Sequence, residues 1–236
     1  MTEIQVILGV PGTWKNRTEL IQAVASKSDG YLLAGDIIHC AKKNVGFQVE
    51  VYEHDPQLVE AFSYVNDDQL MKQITNHTFT VYVIATVSDF EELKNVVDVG
   101  AGLVKAGGLA VKIETSGTIH TKEEWKELAR NQEYFPIYSH FVMLVGNEES
   151  YFSCGMKAFG CPDVITSSVL PPEEAADLLN NFNLYSLIEK PAFKSGQTFS
   201  VEEGSALYRI QCLEDFRYEE DDLFFNPFGL VELVAE

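Results

Sequence analysis

The chain has 236 residues, 46% hydrophobic and 22% charged, enough for one large folded domain or two small ones and unlike the composition of disordered chains. No apolar run approaches the ~20 residues that span a bilayer, which argues against membrane insertion. The formal charge of −19 would repel a phosphate backbone, so nucleic-acid binding is disfavoured; either the charge serves solubility or it recruits a basic protein partner.

From the N-terminus, Glu3–Leu8 alternates apolar and polar residues as a first strand, and Gly9-Val10-Pro11-Gly12 reads as a turn. Asn16 suits an N-cap, with Glu19 three residues on and Leu20, Ile21, Val24 and Ala25 at helical spacing. Two β-rich runs follow, Tyr31–Cys40 and Val45–Glu53, joined through Lys42-Lys43-Asn44. Asp55-Pro56 opens a helical stretch to about Lys72, and Phe79–Val87 is strongly strand-like. Strand, helix, strand, strand, helix, strand is a ferredoxin-like order.

Ser88-Asp89-Phe90-Glu91 then opens a helix to about Ala106, with Phe90, Leu93, Val97 and Val104 on one face. Gly107-Gly108 ends it, and Leu109–Ile113 is a short strand, a right-handed crossover unit if it pairs in parallel with Phe79–Val87. Ser116-Gly117 begins a polar connection, and Thr121 with Glu124 caps a helix holding Trp125 and Leu128. Pro136–Val145 and Tyr151–Phe159 read as an antiparallel pair around Gly146-Asn147-Glu148. Pro171 suits the first position of a helix whose Glu173 and Glu174 complement the macrodipole, with Ala175, Leu179, Phe182 and Tyr185 as its buried stripe. Ser205–Leu213 and Leu223–Val234 are late strands around the acidic loop Glu214–Asp222. The expected fold is α+β: ferredoxin-like βαββαβ elements with an added crossover over residues 1–115, then an antiparallel sheet with a helix over 116–236. The division falls near residues 114–120, and one continuous mixed sheet is the alternative.

Several residue groups invite chemistry. The loop Gly9–Lys15 precedes a helix, and its amides with Trp14, Lys15 and Arg17 would suit an anion. The competing reading is an ordinary turn with Trp14 folded over the sheet edge. Gly100-Ala101-Gly102 and Gly107-Gly108 lie within and after a helix, the wrong place for a phosphate cradle, so close packing explains them better. His39, Cys40, His54, His120, His140, Cys154 and Cys161 lack the spacing of a metal motif, so neither metal nor cofactor is expected. Cys154 or Cys161 would need His140 on an adjacent strand to act as a nucleophile. Glu219, Glu220, Asp221 and Asp222 are contiguous, either a solvated loop or a docking patch for a basic protein. The opening MTEIQVIL has no basic leader, so a cytoplasmic location with reduced cysteines is expected.

The stretch Gly155–Phe199 carries Gly155-Met156-Lys157-Ala158-Phe159-Gly160-Cys161-Pro162-Asp163, the helical Ala175–Tyr185, and Ser195-Gly196-Gln197-Thr198-Phe199. It resembles the C-terminal signature of a mainly bacterial family, domain of unknown function 4261, over roughly residues 140–200 and onward. The resemblance implies kinship and supplies no chemistry. Within it Gly160, Pro162 and Gly196 read as turn-setting residues, and Phe159, Phe182, Tyr185 and Phe199 as the apolar pieces those turns pin. Asp163 and Thr198 are its polar residues and the choice for a functional centre. The expectation is a non-catalytic binding protein for a basic protein, immunity- or adaptor-like. The alternative is an enzyme or small-ligand protein with a cleft between the halves.

Overall fold

In the computed structural model, which describes residues 4–236, seven α-helices and thirteen strands build two separate sheets instead of one continuous sheet. The class is α+β, and the chain divides into two compact units, Met1–Ile137 and Tyr138–Glu236. No helix among the described residues is long and apolar enough to cross a membrane.

The first unit comprises β1 (Ile4–Gly12), α1 (Arg17–Lys27), β2 (Tyr31–Ala34), β3 (Ile37–Cys40), β4 (Val45–Glu53), α2 (Pro56–Ala61), α3 (Asp68–Thr75), β5 (Phe79–Val87), α4 (Phe90–Lys105), β6 (Ala110–Ile113), β7 (Thr118–Thr121) and α5 (Lys122–Arg130). Its sheet runs β2-β3-β4-β5-β1-β6-β7, antiparallel at every pairing. The inner order β6-β1-β5-β4, with α1 and α4 as connections, is ferredoxin-like, but its members are shifted from the expected set. Phe79–Val87 is the third strand of that motif, α4 its second helix and β6 its fourth strand; β2 and β3 extend the edge. β5 and β6 do not pair, because β1 lies between them.

Four local expectations are corrected, and Glu3 lies outside the described residues. Gly9–Gly12 continues β1 instead of turning, because β5 pairs with it along all nine residues. Pro11 is tolerated there because its carbonyl accepts from Leu109 on the β6 side, where registered pairing to β6 covers only Leu8 and Gly9; its missing N–H faces the same way. The run Tyr31–Cys40 folds back at Gly35-Asp36 into two strands. The expected helix from Asp55 breaks before Asp67, whose carboxylate caps α3 by accepting from the Gln69 and Leu70 amides. Ser116-Gly117 is the tight turn into β7, which pairs with β6.

Sheet alternation puts helices on both faces. Leu58, Phe62, Leu70 and Ile74 of the α2–α3 region cluster with Ala110, Tyr82 and Ile119. Gly9 shares that face, since a Cβ there would meet Tyr82 and Leu58. Val10, its neighbour, points the other way and touches Gly108 at the end of α4. The small residues of α4 serve close packing, as expected: a Cβ at Gly100 would stand 2.6 Å from the Trp125 indole nitrogen.

After α6 (Tyr134–Phe141), the second unit contains β8 (Met143–Gly146), β9 (Ser150–Cys154), β10 (Asp163–Ser167), α7 (Pro172–Glu189), β11 (Thr198–Phe199), β12 (Tyr208–Leu213) and β13 (Leu230–Ala235). The sheet order is β11-β12-β13-β10-β9-β8, with β10 and β13 parallel and the other pairs antiparallel. The expected pair around Gly146-Asn147-Glu148 forms, but Pro136–Phe141 is helical and Met156–Phe159 is a 3-10 turn. Pro171 caps α7, and Pro172 takes its first position. Ala175, Leu179 and Phe182 are buried in α7, whereas Tyr185 is 40% exposed. The buried stripe continues through Asn183 and Ser186, polar residues that apolar periodicity does not register.

Candidate functional site

Asp163 opens β10, fully buried, where the antiparallel partner β9 and the parallel partner β13 converge. Its Oδ1 accepts from the Ser153 hydroxyl at 3.2 Å and the Met156 amide at 3.1 Å. Its Oδ2 accepts from Arg217 Nη2 at 2.9 Å and Asn226 Nδ2 at 3.0 Å. Arg217 reaches inward from the β12–β13 connection with its side chain only 6% exposed. It also donates from Nε to Asp215 Oδ1 at 2.8 Å, from Nη2 to Asp215 Oδ2 at 2.9 Å, and from Nη1 to the Ser153 carbonyl at 2.7 Å. Its guanidinium lies 4.9 Å from the Phe152 ring centroid, a cation–π arrangement in a desolvated setting.

The network continues into the loop. Asn226 donates to the Cys161 carbonyl, and its backbone N–H to Asp215 Oδ2. Lys157, from the 3-10 turn, donates to the Leu223 and Phe225 carbonyls. Gly229 closes the loop at φ +81°, and a Cβ there would fall 2.3 Å from the Leu213 carbonyl oxygen, so no larger residue fits.

Burial pushes the Asp163 carboxyl up, while Arg217, Asn226 and the Met156 amide pull it back. Burial also opposes ionisation of Asp215, but hydrogen bonds from Arg217 and Asn226 prevail and hold its carboxyl below the usual range. Burial works against the charge on Arg217 too; hydrogen bonds and attraction from Asp215 and Asp163 outweigh it and strengthen its hold on the proton. Desolvation lowers Lys157. The hydrogen-bonding atoms of Asp163, Asp215 and Arg217 are committed to one another, to the Ser153 and Asn226 side chains and to the backbone. The arrangement is a clamp that fixes the loop 214–228, between Leu213 and Gly229.

Over this clamp lies a pocket of about 690 Å³ lined by Glu214, Asp215, Phe216, Tyr218, Glu219, Glu220, Phe225 and Phe228 among others. Phe216 is 69% exposed. Carboxylates and aromatic rings together suit a cationic side chain, through charge and the ring faces. Of the acidic run, Glu219 and Glu220 line the pocket; Asp222 Oδ1 accepts from the Phe224 amide, and Asp221 is exposed on the turn.

The structure separates the two signature residues. Asp163 anchors the clamp, while Thr198 lies exposed on β11 beside a second pocket of about 470 Å³ with Tyr185, Phe193 and Phe199. In the first unit Trp14 is buried and donates from its indole to the Ala106 carbonyl at 2.9 Å. The Lys15 amide donates to Glu19, the Asn16 carboxamide oxygen takes the Glu19 amide, and Arg17 donates to the Gly35 carbonyl beside Asp36. Among the described residues no three His, Cys, Asp or Glu side chains gather as metal ligands. His140 lies on α6, not on a strand, and both cysteines are buried, which pushes the Cys154 thiol up to about 12 and Cys161 to about 11.

Sequence reading missed Asp215, Arg217, Asn226, Ser153 and Lys157. Two signals were present: Arg217 is the one cation within Glu214–Asp222, and Lys157 interrupts the apolar run Met156–Phe159. A lone basic residue in such a setting is a candidate for an interior ion pair.

The family model "Domain of unknown function (DUF4261)" matches residues 152–224, the C-terminal part in which the resemblance was read. That span holds Ser153, Lys157, Asp163, Asp215 and Arg217, so most of the clamp lies within the similar region. No curated protein and no solved structure matches the chain.

Proposed function

We propose that the protein is a non-catalytic binding module whose C-terminal unit captures a basic protein by taking a Lys or Arg side chain into the pocket above the clamp. The observation that carries this reading is the pocket wall, where Phe216, Tyr218, Phe225 and Phe228 alternate with Glu214, Glu219 and Glu220 on a loop fixed by buried hydrogen bonds. A loop already held in place loses little conformational freedom on binding. The charged interior of the site has its hydrogen bonds committed, which favours recognition over proton transfer. The surrounding charge adds long-range attraction: residues 138–236 hold seventeen Asp and Glu against five Lys and Arg, −12 of the chain's −19. An immunity- or adaptor-like role in a bacterial cytoplasm fits this reading, and the four free cysteines suit a reducing compartment.

The test is association kinetics with the protein that co-purifies from the native host. Its association rate should fall steeply with salt, and Glu219→Ser with Glu220→Ser should slow it without altering the melting transition. Phe216→Ala should raise the dissociation rate instead. A rate indifferent to both salt and these substitutions would remove the pocket from the interaction.

A further inference from the structure

Two pieces of the C-terminal motif are not absorbed by the clamp: the helical stretch Ala175–Tyr185 and the segment Ser195-Gly196-Gln197-Thr198-Phe199. Both contribute to the second pocket of this unit, whose volume of about 470 Å³ falls within the roughly 300–1,000 Å³ of small-molecule sites. Asn181 and Tyr185 of α7 line it together with Gln197, Thr198 and Phe199, and Phe193 and Ser200 add to the lining. The wall from the motif segment is fixed. Gly196 turns the chain at φ +91° and donates its N–H to the Ile210 carbonyl at 2.9 Å; the Ile210 amide donates to the Gln197 carbonyl at 2.8 Å, and the Cys212 amide to the Ser195 hydroxyl at 2.9 Å. The Gln197 Oε1 accepts from the Lys194 amide at 2.7 Å and closes the turn. The rings are held as well: buried Phe182 stacks on Phe193 with centroids 4.8 Å apart and meets Phe199 edge-on at 5.0 Å. The half-exposed Tyr185 ring lies 5.8 Å from that of Phe199.

The lining restricts the ligand in two ways. None of the described residues lining this pocket is a charged acid or base, in a chain with 22% charged residues, whereas the clamp pocket is walled by Glu214, Glu219 and Glu220. An ionic ligand would give up water here without gaining a countercharge. The polar groups are neutral and of both kinds. Asn181 spends its Nδ2 on the Asp177 carbonyl, which leaves Oδ1 as an acceptor; Gln197 spends its Oε1 on Lys194, which leaves Nε2 as a donor. The Thr198, Ser200 and Tyr185 hydroxyls both donate and accept. A wholly apolar ligand would cover these groups without pairing them.

We propose that this pocket binds a neutral sugar, with Tyr185 and Phe199 packing against its C–H face and Asn181, Gln197 and Thr198 bonding its hydroxyls. Sugar hydroxyls give and take hydrogen bonds, and the slightly positive C–H groups suit the negative faces of aromatic rings. The wall held by Gly196 and Gln197 is set before binding, so little ordering is needed when the ligand enters. The site is independent of the protein-binding reading, which rests on the other pocket, and the failure of either leaves the other standing.

Saturation-transfer NMR on the full chain, with methyl β-glucoside, N-acetylglucosamine and cellobiose as probes and glucuronate and indole as controls, tests it. Saturable binding of at least one of the three sugars at millimolar concentration or below is expected, with the strongest transfer to its ring C–H protons and weaker binding of glucuronate. Cellobiose ahead of both monosaccharides would mark a saccharide chain as the ligand; a monosaccharide equal to it or ahead would mark a single sugar. Gln197→Glu keeps an oxygen for the Lys194 amide but removes the donor, and should weaken binding by roughly threefold to tenfold. Tyr185→Ala removes a ring face and should weaken it by a similar factor, roughly threefold to tenfold, in protein that circular dichroism shows to be folded. No saturation with any of the three sugars, whether or not indole binds, overturns the proposal. So does glucuronate binding as tightly as the glucoside, or unchanged affinity in both variants.

Discussion

The two units solve the problem of a stable interior by different means. The first relies on apolar layers on both faces of a seven-stranded sheet, with small residues in α4 letting large rings approach. The second also has an apolar cluster, around Phe182, but runs a charged network through its interior from Asp163 to Asp215 by way of Arg217. Hydrophobic layers tolerate gradual repacking, whereas a buried ionic network stands only while every partner is present. The contrast teaches where precision is kept: the second unit spends polar hydrogen bonds to fix a loop, and that loop carries the pocket.

The largest expected effect comes from breaking the network. Arg217→Met strands two buried carboxylates and should destabilise the second unit by about 3–5 kcal/mol in denaturant melts followed by circular dichroism. A loss below about 1 kcal/mol would mean that the network is dispensable. In the apolar cluster of the same unit, Phe182→Ala should cost about 3–4 kcal/mol through transfer and cavity terms. Tyr185→Ala, at a 40% exposed position, should cost roughly 1 kcal/mol. If Tyr185 proved as costly as Phe182, the assignment of the buried face would fail.

That last pair marks what the sequence made legible. Helix starts were readable because capping is local: Asn16, Asp55 and Thr121 cap as their spacing predicts, and the start read at Ser88-Asp89-Phe90-Glu91 is shifted by one residue, with Asp89 as the cap and Glu92 as its partner. The resemblance of the C-terminal part to a family was readable from its motif, and the family model matches there. Strand continuity at Gly9–Gly12 was not, because pairing with β5, some seventy residues away, overrides the local turn signal of Gly and Pro. Half of the clamp stayed hidden for a related reason. Asp163 drew notice through the motif, but Arg217 and Asn226 join it only through sheet closure by β13.

Close packing in the first unit allows a subtler test. Gly100→Ala places a methyl group 2.6 Å from the Trp125 indole nitrogen and should destabilise by about 1–3 kcal/mol. Amide hydrogen exchange in α4 and α5 would register it, and an unchanged exchange rate would mean that α5 yields freely.

The smallest effect concerns acid. His77 is 2% exposed; its Nδ1–H donates to the Ile74 carbonyl at 2.6 Å, and its Nε2 accepts from the Asp55 amide at 2.9 Å, an arrangement that requires neutral imidazole. Burial accordingly lowers its pKa below the ordinary 6.5. The unfolded chain takes up the proton first, so this contribution is complete above pH 6.5 and is lost as pH falls from there through the lowered folded value. His77→Gln should flatten that part of the stability profile, and a profile unchanged by the substitution would refute the assignment.

Both tryptophans of the chain belong to the first unit, each nearly or wholly inaccessible, with the Trp14 indole bonded to the Ala106 carbonyl and the Trp125 indole to Val97. Their ultraviolet emission therefore reports the β1–α1 junction and the α4–α5 contact, and the clamp region is spectrally dark at tryptophan excitation. A single tryptophan introduced at Phe216 would give the second unit its own fluorophore, at the mouth of the pocket where a captured cation would quench or shift it. The native protein thus comes with one half already labelled, and the unlabelled half is the one in which partner binding is proposed.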